Sequence, residues 1–336
     1  MTEAGLTQEE LVQYRAVQSG LAWRDLSGRM KIGVLGPDRV EFLHAVISND
    51  VLSLPDFAGR YGALLTATGK IVADFDYYRL PEALMIDVSR ELGARLVTLL
   101  EGYIIMDDVT LEDWSGRFAH FAFDGPGAPG FLLELLGGPI PESIRRIVVV
   151  PWEEIPVWLI RKNLVSDFGF ELLVPASGAP GFRQRMEALG REMESVELGP
   201  AALDVLRLER GIPLNGVDFS ERNNPLEAQL TEAYSLEKGC YPGQEVVAKA
   251  TNIGGVARLL VPVLFSGERP PSTGAALYSN AGKEIGRITS AGFSPRLNRA
   301  IGLALVKRAS AGVGSRYEVE SASEERLEGE IVASFP

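Results

Sequence analysis

Apolar positions change period several times along the chain. Thr7 with Glu10 is a capping-box signature and predicts a helix through about Ala16. Lys31 to Leu35 reads as a strand. After the turn residues Gly36-Pro37-Asp38, Val40, Leu43, Val46 and Ile47 keep helical spacing, with Asp38 and Glu41 as a second capping-type start. Tyr61–Leu65 and Ile71–Leu80 flank Thr66-Ala67-Thr68-Gly69-Lys70, which predicts a hairpin. Leu84–Val88, Val109–Glu112, Phe118–Phe123, Val148–Trp152, Trp158–Lys162 and Phe170–Val174 read as further strands. Helices are expected from Ser89 to about Leu100, at Phe131–Leu136, Pro180–Leu189 and Pro200–Glu209.

Strands and helices thus come in mixed order with hairpins. That predicts an α+β fold with mixed and antiparallel sheets, not a doubly wound parallel sheet. From Val256 onward the helical pattern fades. Leu259–Phe265, Ala276–Tyr278, Glu284–Ala291, Ala300–Val306, Tyr317–Val319 and Gly329–Ala333 are short apolar runs between Gly, Pro, Ser and Asn. They predict a small closed barrel or a sandwich. The expected division is 1–245 for the mixed part and 246–336 for the β part. No fixed-period repeat is present.

Composition narrows the chemistry. The 336 residues are 46% hydrophobic and 23% charged, as in ordinary globular proteins of two or three domains. A net charge of −12 argues against a phosphate-tracking nucleic-acid surface. No apolar run approaches the roughly 20 residues of a membrane span, and Met1–Glu10 resembles no signal or transit peptide. A cytoplasmic protein is expected. One Cys and two His, His44 and His120, are too few for a usual structural zinc site or for four-thiolate iron–sulfur ligation, so no intrinsic metal site is expected. Gly125-Pro126-Gly127-Ala128-Pro129-Gly130 carries two prolines and reads as a loop.

The one cysteine lies in Lys238-Gly239-Cys240-Tyr241-Pro242-Gly243-Gln244-Glu245, where glycines and proline mark a turn. Gln244–Ala250 reads either as a short helix or, at Val246-Val247-Ala248, as a strand. In the helical case Cys240 sits near a helix N-terminus that favours a thiolate, helped by Lys238 and opposed by Glu237 and Glu245. The alternative is a small buried thiol. Asp74 and Asp76 alternate as the polar side of a half-buried strand, and Glu171 reads as a strand-face carboxylate. Arg207 is set to pair with Asp204 or Glu209, and His44 is a helix-face residue with no chemical role.

The octapeptide resembles the signature of YgfZ-type proteins, folate-binding relatives of the glycine cleavage T-protein (aminomethyltransferase) that serve iron–sulfur cluster assembly or maintenance. Ile47-Ser48-Asn49-Asp50-Val51, Gly69-Lys70-Ile71-Val72-Ala73-Asp74 and Arg207-Leu208-Glu209-Arg210-Gly211-Ile212-Pro213 are similar to further runs of the T-protein family. The resemblance implies two interleaved domains and a C-terminal β-barrel around a central opening, with tetrahydrofolate or a derivative as ligand. It implies Glu171 against the pterin's amino-pyrimidine edge, Phe168 or Phe170 stacked on the pterin, Arg207 on a folate carboxylate and Asn49 in the folate site. Asp74 matches the carboxylate that assists aminomethyl transfer, while Ala73 replaces a second aspartate of true T-proteins. Two readings follow. One is a folate-binding protein with a reactive Cys240 that supports iron–sulfur enzymes or cluster carriers, and through them tRNA modification. The other is an aminomethyltransferase using tetrahydrofolate.

Overall fold

The computed structural model describes residues 5–320 and 327–336. The chain opens with α1 (Gln8–Ser19) and β1 (Ala22–Asp25), followed by β2 (Met30–Leu35), α2 (Arg39–Val46), β3 (Ala58–Leu65) and β4 (Ile71–Arg79). Then come β5 (Leu84–Val88), α3 (Arg90–Glu101), β6 (Thr110–Asp113), β7 (Phe118–Asp124), α4 (Ala128–Leu136), β8 (Ile147–Trp152) and β9 (Ile155–Arg161). β10 (Phe170–Pro175), α5 (Ala179–Glu192), β11 (Val196–Glu197), α6 (Pro200–Glu209) and α7 (Gln244–Lys249) complete the mixed part. The last six strands are β12 (Arg258–Phe265), β13 (Ala276–Tyr278), β14 (Glu284–Ser294), β15 (Arg299–Lys307), β16 (Arg316–Val319) and β17 (Leu327–Ile331).

These strands form a five-stranded sheet in the order β3-β4-β5-β2-β6, a six-stranded sheet in the order β11-β1-β7-β10-β9-β8, and a closed barrel, β12-β15-β14-β13-β16-β17. The fold is α+β, as the mixed order of elements predicts, and the choice between barrel and sandwich falls to the barrel. The Thr7–Glu10 capping box forms at α1. Asp38 makes no side-chain cap at α2; its carboxylate accepts from the Asp108 amide instead, at 2.8 Å. The glycine–proline run enters α4 earlier than expected, because Pro129 fits the first helical turn, where its missing N–H costs nothing.

Side-chain alternation assigns the layers. On the five-stranded sheet, Ile32, Val34, Ala73, Phe75, Tyr77, Leu84 and Ile86 pack against α2 and α3. On the six-stranded sheet, Phe121, Phe123, Phe170, Leu172 and Val174 pack against α4 and α5. The opposite faces meet each other through Tyr78, Met85, Ile147, Ile160 and Leu173. The result is four layers, with helices outside and two sheets face to face. The face carrying Asp74 and Asp76 is therefore covered by the second sheet and not by solvent, and Asp76 is buried. That corrects the expectation of a solvated polar face.

The barrel is fastened to the end of α6. Arg207 donates to Asp218 (2.7 Å) and to Ser290 on β14 (2.9 Å), and Asp218 accepts from Thr289 at 2.6 Å. Glu209 accepts from Tyr14 of α1 at 2.9 Å and from Ser294.

Candidate functional site

Where the two sheets meet, alternation that points apolar residues outward points polar ones inward. Lys31 on β2, Asp74 and Asp76 on β4, Asp87 on β5, His120 on β7 and Glu171 on β10 all face this seam, joined by Lys162 just past β9. Lys162 Nζ is 2.5 Å from Asp76, 3.4 Å from Glu171 and 3.9 Å from Asp87. Arg145 Nε donates to Asp76 at 2.6 Å, and Arg29 Nε to Asp87 at 3.0 Å. The charges thus meet partners, as buried charges must.

The proton positions follow from the contacts. Lys31 Nζ is 2.7 Å from His120 Nδ1, so an ammonium donor makes that nitrogen an acceptor. Nε2 then carries the hydrogen and donates to Glu171 at 3.3 Å. Burial lowers the His120 pKa and keeps the ring neutral. Burial also works against an ionised Glu171, but Lys162, His120 and Arg29 outweigh it and hold the carboxyl well below its usual range. Asp87 is likewise held low against its burial, by Arg29 first and by Lys162 and Lys31.

Asp74 lies at the half-buried edge of this seam. Tyr61 Oη donates to its Oδ2 at 2.7 Å, and Asn215 Nδ2 donates to its Oδ1 at 2.8 Å. Each carboxylate oxygen is thereby aimed, with a lone pair left for another donor.

The cysteine motif docks onto α2 and the β3–β4 hairpin. Lys238 Nζ donates to the carbonyls of His44 and Ile47 (2.6 Å to Ile47), and so caps the end of α2. It also stands 4.8 Å from the centre of the Tyr241 ring. Burial lowers the Lys238 pKa to about 8. Tyr241 packs with Leu65, Ile71 and Val247. Gly243 has φ +80° and lies against the hairpin turn at Thr66 and Gly69. Gln244 opens α7, which settles the helix-or-strand alternative; Gln244 is half-buried and Glu245 exposed. Cys240 and Gly239 are exposed, so the buried-thiol alternative fails. His44 is more than a surface residue: its Nδ1 accepts from the Val51 amide at 3.2 Å and lies 3.2 Å from Asp50.

Phe170, Arg207 and Asn49 have no free group here. The Phe170 ring is buried in the outer core under Arg161, while Phe168 is exposed. Every nitrogen of Arg207 is engaged, with Asp204 as expected and with Asp218, Ile212 and Ser290 as well. Asn49 donates to the carbonyls of Tyr61 and Glu232 at 2.9 and 2.8 Å, joining β3 to the turn at Thr231–Ala233 between α6 and α7. The sequence reading missed Tyr61, Asn215, Asp87, Lys162 and Arg145. For Tyr61, Asp87 and Lys162 the available signal was a polar residue at alternate positions of otherwise apolar strands or just past their end; Arg145 and Asn215 lie in loops and carried no such signal.

Two cavities, of about 370 and 470 Å³, flank the end of α6 and share Glu209 and Arg210 in their walls. Among the described residues, no group of three or more His, Cys, Asp or Glu is placed to hold a metal ion, and no helix is long and apolar enough to cross a membrane.

The GCVT N-terminal domain model matches residues 6–238, and the glycine cleavage T-protein C-terminal barrel domain matches 258–335. The chain belongs to the glycine cleavage T-protein family. An aminomethyltransferase of Thermotoga petrophila is 33% identical over 310 residues, covering 90% of this chain and 83% of that protein. A putative chloroplastic transferase of Arabidopsis thaliana is 28% identical, covering 90% of this chain and 69% of that protein. Glycine cleavage system aminomethyltransferase T from Bartonella henselae superposes with a TM-score of 0.87 at 25% identity, covering 97% and 89% of the two chains. The family accounts for the interleaved sheets and the barrel. Its matched segments also bring Asp74 and Glu171 to one seam.

Proposed function

We propose that this protein binds a reduced folate at the seam between the two sheets and transfers a one-carbon unit to it, in the manner of an aminomethyltransferase. The observation that carries this reading is the Asp74 carboxylate, half-buried and fixed by Tyr61 and Asn215, on the same strand face as the Glu171 cluster. The family likeness over nine-tenths of the chain supports it.

The residues present fit a pterin. The Tyr78 hydroxyl, fully buried in the field of Asp76, Glu171 and Asp87, has no hydrogen-bond partner. The contacts of Glu171, at 3.3 and 3.4 Å, are all long for charge-assisted bonds. A buried hydroxyl without a partner is costly and marks a place for one. Glu171, ionised, accepts the paired N–H groups of an amino-pyrimidine edge, and Tyr78 supplies one further hydrogen bond. When bound, the folate supplies the nucleophilic nitrogen that receives the one-carbon unit. Asp74 orients an N–H group at that position and stabilises positive charge near it, with Tyr61 and Asn215 preventing its rotation.

The test is formation of methylenetetrahydrofolate from aminomethylated lipoyl protein and tetrahydrofolate. Asp74→Asn is expected to lower kcat by about 10²-fold, within the usual span for acid–base groups. Glu171→Gln is expected to weaken tetrahydrofolate binding at least tenfold by calorimetry. A wild-type protein that binds folate but forms no product removes the transferase reading. Unchanged affinity in Glu171→Gln removes the placement of the pterin.

A second reading is favoured by the exposed Cys240 on its anchored loop. Here the folate-bound protein supports iron–sulfur enzymes through that thiol. Cells lacking their own copy, supplied with wild type or Cys240→Ala, decide between the two. Loss of iron–sulfur enzyme activity in the mutant alone supports the thiol, and equal rescue rejects it.

A further inference from the structure

The cation that holds Glu171 is bound more tightly elsewhere. Lys162 Nζ sits 2.5 Å from Asp76 but 3.4 Å from Glu171. Asp76 has a second cation in Arg145, and Asp87 has Arg29 and Lys31. Among the described residues no other cation lies within ion-pair distance of Glu171: its remaining contact, His120, is a neutral N–H donor because Lys31 occupies the other ring nitrogen, and Arg29 acts on it only from farther off. Lys162 also sits just past the end of β9, where its own backbone N–H donates to the Gly169 carbonyl at 3.0 Å and starts the loop to β10. A lysine ammonium is a point charge on a flexible four-carbon stem, and it can turn without disturbing the backbone.

We propose that Lys162 is a built-in occupant of the ligand site, which covers the Glu171 carboxylate in the free protein and withdraws to Asp76 when a pterin edge arrives. The proposal rests on the folate reading above and adds to it a competitor within the chain. Binding then exchanges two 3.4 Å ion contacts for the ligand's N–H groups, and the observed affinity is the intrinsic one reduced by that exchange. Asp76 stays neutralised throughout, so no carboxylate is left alone in the seam.

The test is calorimetry with 5-formyltetrahydrofolate on wild type, Lys162→Met and Lys162→Gln at pH 8. Thermal melts establish that each variant is folded. The expected result is at least tenfold tighter binding by both variants. Equal or weaker binding by folded variants, with wild type still binding, overturns the role of Lys162 and leaves the folate reading standing. Binding by the variants alone supports both. Absence of binding in all three proteins rejects the folate reading and the occupant with it. A second measurement needs no mutant: the ¹⁵Nζ resonance of Lys162 in the wild type is expected to shift on saturation with the folate, and an unmoved resonance in a saturated sample overturns the proposal.

Discussion

Gly243→Ala is expected to separate the cysteine loop from the hairpin it rests on. Gly243 has φ +80°, and a Cβ there would lie 2.5 Å from the Thr66 carbonyl oxygen, 2.6 Å from Gly69 Cα and 2.8 Å from Gly69 N. All three are backbone atoms, so no side chain can turn aside. The left-handed conformation alone costs an L-residue about 1–2 kcal/mol, and forcing a methyl into a packed contact adds about 1–3 kcal/mol. The sum, about 2–5 kcal/mol, is a large share of the roughly 5–15 kcal/mol that holds a domain together. Gly211→Ala separates the two contributions: its φ is +66°, yet no atom lies within 4 Å of the added methyl, so only the conformational cost of about 1–2 kcal/mol is expected. Urea denaturation of both variants measures the difference. A loss in Gly243→Ala no larger than in Gly211→Ala would show that the loop does not pack on the hairpin in solution, and would falsify the anchored-thiol geometry.

Further outcomes follow from the same contacts. Tyr61→Phe removes the donor to Asp74 Oδ2 and is expected to lower kcat of one-carbon transfer about tenfold, the worth of a hydrogen bond to a charged group; an unchanged kcat would mean that Asp74 needs no such support. Stability is expected to decline on acidification. His120 has a lowered pKa, so the unfolded chain gains a proton first as pH drops below about 6.5. Glu171 and Asp87, held low, add stability that is complete above about pH 4 and is lost as pH falls further. Denaturant titrations from pH 7 to 3 check the slope, and a flat profile contradicts the network. Lys238→Met leaves the carbonyls at the end of α2 without their cation; an expected cost of about 2–3 kcal/mol is read from the urea midpoint.

Much of the architecture was legible because it is local. α6 and β5 fall within the expected bounds, and the barrel strands follow from short apolar runs between turn residues. β1 and β11 escaped notice because Ala22-Trp23-Arg24-Asp25 and Val196-Glu197 have no strand signal of their own. They are strands because β1 pairs with β7 and β11, from Ala22 to Asp124 and to Val196. The site divides in the same way. Asp74 and Glu171 were named from motifs, but their partners Tyr61, Asn215, His120 and Lys162 reach them through the fold. Alternation showed that Asp76 was inward or outward with Asp74; only sheet-on-sheet packing decides that both meet a second layer.

The order in which the sheets are made along the chain bears on synthesis. The five-stranded sheet is contiguous from Met30 to Asp113, whereas the six-stranded sheet begins with β1 and is complete only at Glu197. On a ribosome, where domains fold as they emerge, the first sheet is finished while its covering layer is still being translated. Its waiting face carries Lys31, Asp74, Asp76 and Asp87 beside Tyr78 and Met85. A wholly apolar face left bare at that stage would invite aggregation. The charges that later meet Glu171 and Lys162 keep the half-built molecule wetted until its other half arrives.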